Sequence, residues 1–449
     1  MLSFEVTGRV TALQTATGNH GKPNWLFYSL FASAVLTIGL TEFRPVLGGI
    51  GNLSDSLFLA AFLVWLVFSV KRIDGDTMER AWQPIRDLEP LVWGGIALSV
   101  GGAIASVSSE EPELSWIITA KYFITFCVWL PWVTFVLGRY LSLRRMHLLY
   151  IVALGSVALA TLADLTVHTR FGVWLVTAPP KMLFEDLLRL RYGGPTGHPT
   201  SLGYLSAIGF LLSLPFLTKR STRVASLLTA LALLVFGGAL LASGSRAALL
   251  GGILGWVTFA FFGPRGGMRR LVLAGATCLI ALTAVSRIGA LRRFVPVDPL
   301  ARLQESLRPR RDFEADWSRK RDLQSAQVVL THDPITGYGM DNVGTSPAQP
   351  IGFDLHNTVL QSWVAGGILA GLGTAWLYVA VLMAGWRALR DGDPRNLSLF
   401  TACVAFVTMD MFHPHLYVRF KWFVAALLIA AIREAGAHAA RADIAPPAV

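Results

Sequence analysis

The residues best suited to chemistry lie in a polar segment of about 70 residues between Arg287 and Leu355, which ends at His356. Ten of its residues are lysine or arginine, and long apolar runs stand on both sides of it. Guanidinium groups hold phosphate oxygens through paired hydrogen bonds, and a histidine can take a proton from a hydroxyl. We therefore predict a site for an anionic, lipid-linked substrate where this segment meets a membrane.

The composition predicts that the rest of the chain is a helical membrane scaffold. Hydrophobic residues make up 53% of the 449 residues, charged residues make up 15%, and the mean hydropathy is +0.53. Apolar runs recur at the length that crosses a hydrocarbon core of roughly 30 Å, so we predict an all-α, polytopic fold with about twelve transmembrane helices. The runs are 25–42, 53–70, 91–107, 116–138, 148–167, 201–217, 224–242, 246–262, 271–286, 357–386, 397–412 and 415–432.

Basic residues in the short connections predict the orientation of these helices. Five clusters of lysine and arginine fall on one side, whereas residues 108–115 on the other side hold three glutamates and no basic residue. Because basic loops stay in the cytoplasm, both termini should be cytoplasmic and the segments 168–200 and 287–356 should face outward. Topology thus explains much of the net charge of +11, and we expect no nucleic acid partner.

Cysteines and carboxylates give no reason to expect a metal site. Cys127, Cys278 and Cys403 all lie in apolar runs, which excludes a disulfide framework and a zinc cluster of CxxC spacing. His413 and His415 flank a proline and cannot share a helix face, so a metal there would need further ligands. Outward carboxylates are scattered, and we therefore expect no metal and no cofactor.

Two of the candidate residues carry arguments of their own. Arg246 lies in a short connection between two apolar runs, on the side where the orientation rule disfavours arginine. His356 precedes a predicted helix, whose dipole disfavours the imidazolium and keeps the ring able to accept a proton; Asp354 is placed to orient it. The structural alternatives are interfacial anchoring for the arginine, and capping of the helix or a hydrogen bond to a loop carbonyl for the histidine.

Three ionisable residues, Lys121, Asp164 and Asp410, fall inside the predicted spans. Ionisable residues within membrane helices usually mark functional sites. All three lie within two turns of the predicted outer surface, so reaching the interface by snorkelling is an equal alternative.

Four pieces of the chain together resemble the signature region of the O-antigen ligases and related polymerases of bacterial surface polysaccharides. The first three are RYGGPTGHPTSLG at 191–203, GSRAALLG at 244–251, and RKRDLQSAQ at 319–327 leading to DPITGYG at 333–339. The fourth is HNTVLQSWVAGG at 356–367. Leu323 stands where the family usually has an aromatic residue, which leaves the register of Arg319 against Arg321 open.

The resemblance implies a GT-C-like membrane glycosyltransferase that works at the periplasmic face of the bacterial inner membrane without a metal. It implies that a glycan is transferred, with inversion at C1, from undecaprenyl pyrophosphate to a hydroxyl of the lipid A core oligosaccharide. Membrane lipids are the other implied partners. The implied residues are His356 as general base, Arg191, Arg246 and one of Arg319 or Arg321 on the pyrophosphate, and Asp354 and His198 in support.

The resulting organisation places the chemistry in one large outward loop. It comprises a cytoplasmic segment (1–24), transmembrane helices 1–9 (25–286) with a periplasmic segment at 168–200, a periplasmic catalytic loop (287–356), transmembrane helices 10–12 (357–432) and a cytoplasmic tail (433–449).

Other functions remain open at this point. A polymerase or a protein O-oligosaccharyltransferase would differ in the acceptor alone. We favour a ligase because the loop before His356 is a single large one, whereas the family's polymerases more often have two comparable loops. A lipid-linked glycan transporter or flippase also fits twelve spans. However, the chain shows no repeat and no matched pair of broken helices, and its ionisable residues gather at one face.

Overall fold

The computed structural model describes most of the apolar part of the chain. The described residues are 25–40, 52–70, 88–173, 192–218, 223–263, 323–340 without 325 and 329, 355–389, 392–413, and 416–442 without 417. Throughout these ranges the regular structure is helical and no strand occurs, which confirms the predicted all-α fold.

The described residues form a series of α-helices. In chain order they are α1 (Trp25–Leu36), α2 (Leu53–Val70), α3 (Glu89–Val107), α4 (Pro112–Phe123), α5 (Leu130–Arg139), α6 (Leu143–Phe171), α7 (Pro199–Ser213), α8 (Pro215–Thr218), α9 (Arg223–Ser243), α10 (Arg246–Phe262), α11 (Thr358–Ala388), α12 (Pro394–Asp410) and α13 (Arg419–Ala442). A π-helical turn, Ile124–Trp129, joins α4 to α5, and a 3-10 turn, Gly194–Thr196, precedes α7.

The predicted apolar runs agree well with these helices. Every run falls on one helix or on consecutive helices, except 271–286, which lies outside the described residues. The stretches that are long and apolar enough to cross a membrane number six in the described part of the chain. The polytopic architecture is therefore confirmed, and the count of twelve spans stays a prediction.

Helix α7 lies at the centre of the bundle. It packs against α9, α10 and α12, and all of its residues except Pro199 and Phe210 are buried. Helix α9 lies at the periphery, with Leu227 and Leu228 among its exposed side chains. An apolar exposed face of this kind suits contact with lipid, because the hydrocarbon core favours apolar surface.

Helix α11 is broken within the tenth predicted span. Gly366 and Gly367 leave the helical conformation, and Gly367 has φ 71° and ψ −176°. Helix α3 packs closely against α11 at this level, where a Cβ on Gly101 would lie 2.6 Å from the carbonyl oxygen of Gly366. The break thus divides α11 into two helices of unequal length. The shorter one, Thr358–Ala365, is called the first half of α11 below, and the longer one the second half.

Candidate functional site

Three histidines from distant parts of the sequence meet at one end of the bundle. The ring of His413 lies between the other two, with its centroid 5.5 Å from that of His198 and 5.9 Å from that of His356. His198 precedes α7, His356 precedes α11, and His413 follows α12. We call these residues the histidine cluster, and this end of the bundle the histidine end.

The turn before α7 holds His198. Its Nδ1 accepts a hydrogen bond from the N–H of Thr200 at 3.2 Å, so in the neutral ring the proton is on Nε2. Thr196 Oγ1 donates to the carbonyl of Gly193 at 2.5 Å. A Cβ on Gly194, whose φ is +53°, would overlap the side chain of Thr161 in α6. The glycine-rich sequence is therefore required for this turn to pack against α6.

His356 is exposed immediately before the start of α11, where the sequence predicted it. The residue that caps the helix is Asn357, whose Oδ1 accepts from the N–H of Leu360 at 2.9 Å. Capping by His356 itself, one of the structural alternatives, is therefore wrong. The start of α11 is also tied to the end of α12, because Thr358 Oγ1 donates to the carbonyl of Asp410 at 2.8 Å.

His413 is held by its backbone as well as by ring contacts. Its carbonyl accepts hydrogen bonds from the hydroxyl of Tyr204 in α7 at 3.2 Å and from Thr358 Oγ1 in α11 at 3.4 Å. The sequence singled out His413 only as a metal ligand together with His415, which lies outside the described residues. Its proximity to His356 is a finding of the structure.

A buried ion pair stabilises the bundle close to the histidine cluster. Lys421 in α13 donates to Asp410 Oδ2, and both side chains are 0% exposed. The hydroxyl of Tyr378 in α11 donates to the same oxygen at 2.5 Å. Snorkelling of Asp410 to the interface is therefore wrong. Lys421 was not singled out from the sequence, although a lysine inside the run 415–432 was a usable signal.

Arg246 is the first residue of α10 and is exposed. The turn before it is built by two serines: Ser245 Oγ accepts from the N–H of Ala248 at 3.3 Å, and Ser243 Oγ accepts from the N–H of Ser245 at 3.2 Å. A Cβ on Gly203 in α7 would lie 2.7 Å from the Cβ of Ala248. The first turn of α10 thus packs against the first turns of α7, which begins at the histidine end.

The other predicted site residues, Arg191, Arg319, Arg321 and Asp354, lie outside the described residues, and their roles stay predictions. Tyr192, the residue after Arg191, donates its N–H to the carbonyl of Ala242 at the end of α9, at 3.3 Å. Among the described residues, no group of three or more histidine, cysteine, aspartate or glutamate side chains is arranged to hold a metal ion.

A protein-family model described as O-antigen ligase matches residues 230–375, about a third of the chain. Over these residues the chain is similar to the O-antigen ligases. This confirms the predicted resemblance, and the match spans Arg246, the polar segment and His356. Such a similarity on a multi-pass membrane scaffold indicates a glycosyltransferase-type reaction with lipid-linked glycans. No curated protein matches the chain.

Proposed function

We propose that this protein transfers a glycan from undecaprenyl pyrophosphate to the lipid A core oligosaccharide at the periplasmic face of the bacterial inner membrane. The observation that carries the proposal is the placement of His356. It is exposed before α11, beside the ring of His413, and directly follows the arginine-rich segment within the matched domain. In the sequence, the proposed base thus comes directly after a group of cations.

The proposed reaction is a single displacement at the sugar C1. His356 takes the proton of the acceptor hydroxyl as its oxygen bonds to C1, and the bond from C1 to the pyrophosphate oxygen breaks with its electron pair. Undecaprenyl pyrophosphate leaves with the developing negative charge. Fixed guanidinium groups stabilise that charge, and Arg246, Arg191 and one of Arg319 or Arg321 are the proposed donors. Attack opposite the leaving group gives inversion.

The acceptor separates the ligase from a polymerase, which would use a second lipid-linked glycan. We favour the ligase because the sequence predicts a single long outward segment before His356. A transporter gains no support from the described helices, since the glycine break of α11 has no counterpart in a matching half of the described chain.

The test is made in cells that lack their own ligase, with wild type and His356→Ala compared at matched expression. The measurements are the length ladder of the lipopolysaccharide and the pool of lipid-linked glycan. His332→Ala is the matched control. His332 is an exposed histidine of the same polar segment whose ring bonds locally to the carbonyl of Val328.

We expect wild type and His332→Ala to attach long glycans to lipid A core, and His356→Ala to leave long lipid-linked chains unattached. Accumulation of short lipid-linked units alone would identify a polymerase instead. Full attachment by His356→Ala would overturn the proposed base.

A further inference from the structure

A turn of the polar segment fills the break in α11. This turn, Pro334–Met340, is called the glycine turn below. In an unbroken helix, the carbonyls of Val364 and Ala365 would accept hydrogen bonds from residues four positions later. Here they accept from the glycine turn instead: Tyr338 N–H donates to Val364 O at 3.2 Å, and Gly339 N–H donates to Ala365 O at 2.9 Å. A third bond runs the other way, from Ile368 N–H to Pro334 O at 3.1 Å.

Glycine is required at this junction because two backbones touch. Gly367 has φ +71°, and a Cβ there would overlap the carbonyl of Ile335. Gly337 has φ +73°, and a Cβ there would overlap the backbone N of Gly367. Both residues thus combine a left-handed conformation with no room for a side chain. An alanine at either position would push the glycine turn out of the break.

The far side of the glycine turn is fixed to the bundle. The N–H of Met340 donates to Ser115 Oγ in α4 at 2.8 Å, and Ser115 Oγ lies 2.7 Å from Ser106 Oγ in α3. Trp363 Nε1 adds a bond to the carbonyl of Pro334 at 2.9 Å. The turn is therefore held between α11 and the α3–α4 pair.

A small apolar core joins the same elements on the other side. Ala326, Leu355 and Val364 form it, each 1% exposed, and Tyr338 and Leu360 pack against it. Ala326 follows Arg319 and Arg321 in the sequence, and Leu355 directly precedes His356. One packed unit thus contains the glycine turn, the first half of α11 and the residue next to His356.

We propose that the glycine turn is a positioning element, which sets the first half of α11 and His356 at a fixed place relative to the described residues of the polar segment. Gly337 and Gly367 are its positioning residues. The inference rests on the proposed function of His356 as the base, and it adds the reason why that base keeps a fixed position. Misplacement of a reacting group by about 1 Å can cost on the order of 100-fold in rate.

The test compares Gly367→Ala with Gly237→Ala in purified protein in lipid nanodiscs. Gly237 is the matched control, because it lies in the membrane helix α9 and a Cβ there would meet nothing within 4 Å. The substrates are undecaprenyl-pyrophosphate-linked glycan and lipid A core oligosaccharide. We expect Gly367→Ala to lower kcat about 100-fold with little change in the KM of the donor. Gly237→Ala should match wild type.

A second measurement, amide hydrogen exchange, follows the turn directly. We expect the peptides 334–340 and 358–368 to be protected together in wild type and to lose protection together in Gly367→Ala, while α12 stays protected. If Gly367→Ala does not accumulate, Trp363→Phe replaces it. That change removes one donor to Pro334 and should lower kcat about three- to tenfold. Trp376→Phe, in the second half of α11, is its control.

The outcomes separate the two proposals. Suppose that wild type is active, and that Gly367→Ala or Trp363→Phe shows faster amide exchange but turns over at the full rate. This result would overturn the positioning role alone. A wild type without transfer would overturn the proposed function of the protein.

Discussion

The two ends of α12 carry the same kind of ion pair in opposite surroundings. Asp393 and Arg395, at the start of the helix, have side chains 26% and 35% exposed. Asp410, at its end, pairs with Lys421, and neither side chain is exposed. The first pair joins neighbours in sequence, whereas the second joins two helices. Both join an aspartate to a cationic side chain, and they differ in burial and in connectivity.

The partly exposed pair, Asp393 and Arg395, lies at the start of one helix. Asp393 Oδ1 accepts from the N–H of Arg395 at 2.9 Å, while Oδ2 accepts from the guanidinium of Arg395 at 2.6 and 2.9 Å. Water competes for these groups, and such pairs contribute only about 0 to 1 kcal/mol. The helix could begin here without it.

The buried pair determines the relative placement of helices. Asp410 binds Lys421 of α13 and Tyr378 of α11, and Tyr204 of α7 donates to the carbonyl of His413, three residues after Asp410. The backbone of the same residue accepts from Thr358, two positions after His356. Ionic groups in a low-dielectric interior must be paired to be tolerated. The histidine end is therefore built from long-range polar contacts, whereas this pair at the start of α12 is local.

The largest effect is expected from Lys421→Met, which leaves the Asp410 carboxylate buried without its cation. Breaking one partner of a buried pair costs about 3 to 5 kcal/mol. Thermal unfolding in detergent should show this loss, and the double variant Asp410→Asn/Lys421→Met should recover much of it because no charge remains unpaired. A single variant as stable as wild type would show that the pair does not organise this end.

A smaller effect is expected from removing the central ring of the histidine cluster. His413→Ala should lower kcat about tenfold, since His356 loses the imidazole beside it, an effect smaller than the loss of a general base. Stability should change little, because the carbonyl of His413 keeps its bonds from Tyr204 and Thr358. His413→Phe retains a ring without nitrogen; full turnover in this variant would mean that ring packing alone matters.

The smallest effect is expected at the opposite end of α12. Arg395→Ala should change the free energy of unfolding by less than about 1 kcal/mol and leave kcat as in wild type. The same unfolding and turnover assays check both values. A loss comparable to that of Lys421→Met would remove the contrast between the two ends.

Much of the fold could be predicted because hydrophobic length is a local property. The apolar runs gave the positions of the helices, and the start of α11 after His356 was found within a residue or two. The break at Gly366 and Gly367 was not predicted, since paired glycines inside an apolar run are common. The break becomes evident only together with the glycine turn that fills it. This turn lies earlier in the sequence: the bonded residues Tyr338 and Val364 are 26 positions apart.

The candidate site was predicted only in part for a different reason. His356 was found from the resemblance and from its place before a helix. His413 and Lys421 belong to the site region through tertiary contacts, which a single sequence does not encode as spacing. One signal for the ion pair was present in the sequence: Asp410 and Lys421 are ionisable residues in successive apolar runs. Antiparallel neighbouring helices bring such positions together.

The bond between Tyr204 and the carbonyl of His413 spans 209 residues. Synthesis from the N-terminus therefore delivers α7 to the membrane long before its partner exists, while the glycine turn and α11 emerge close together and can associate early. The histidine cluster is therefore complete only after α12 has been made, and its buried ion pair only after α13 has been made.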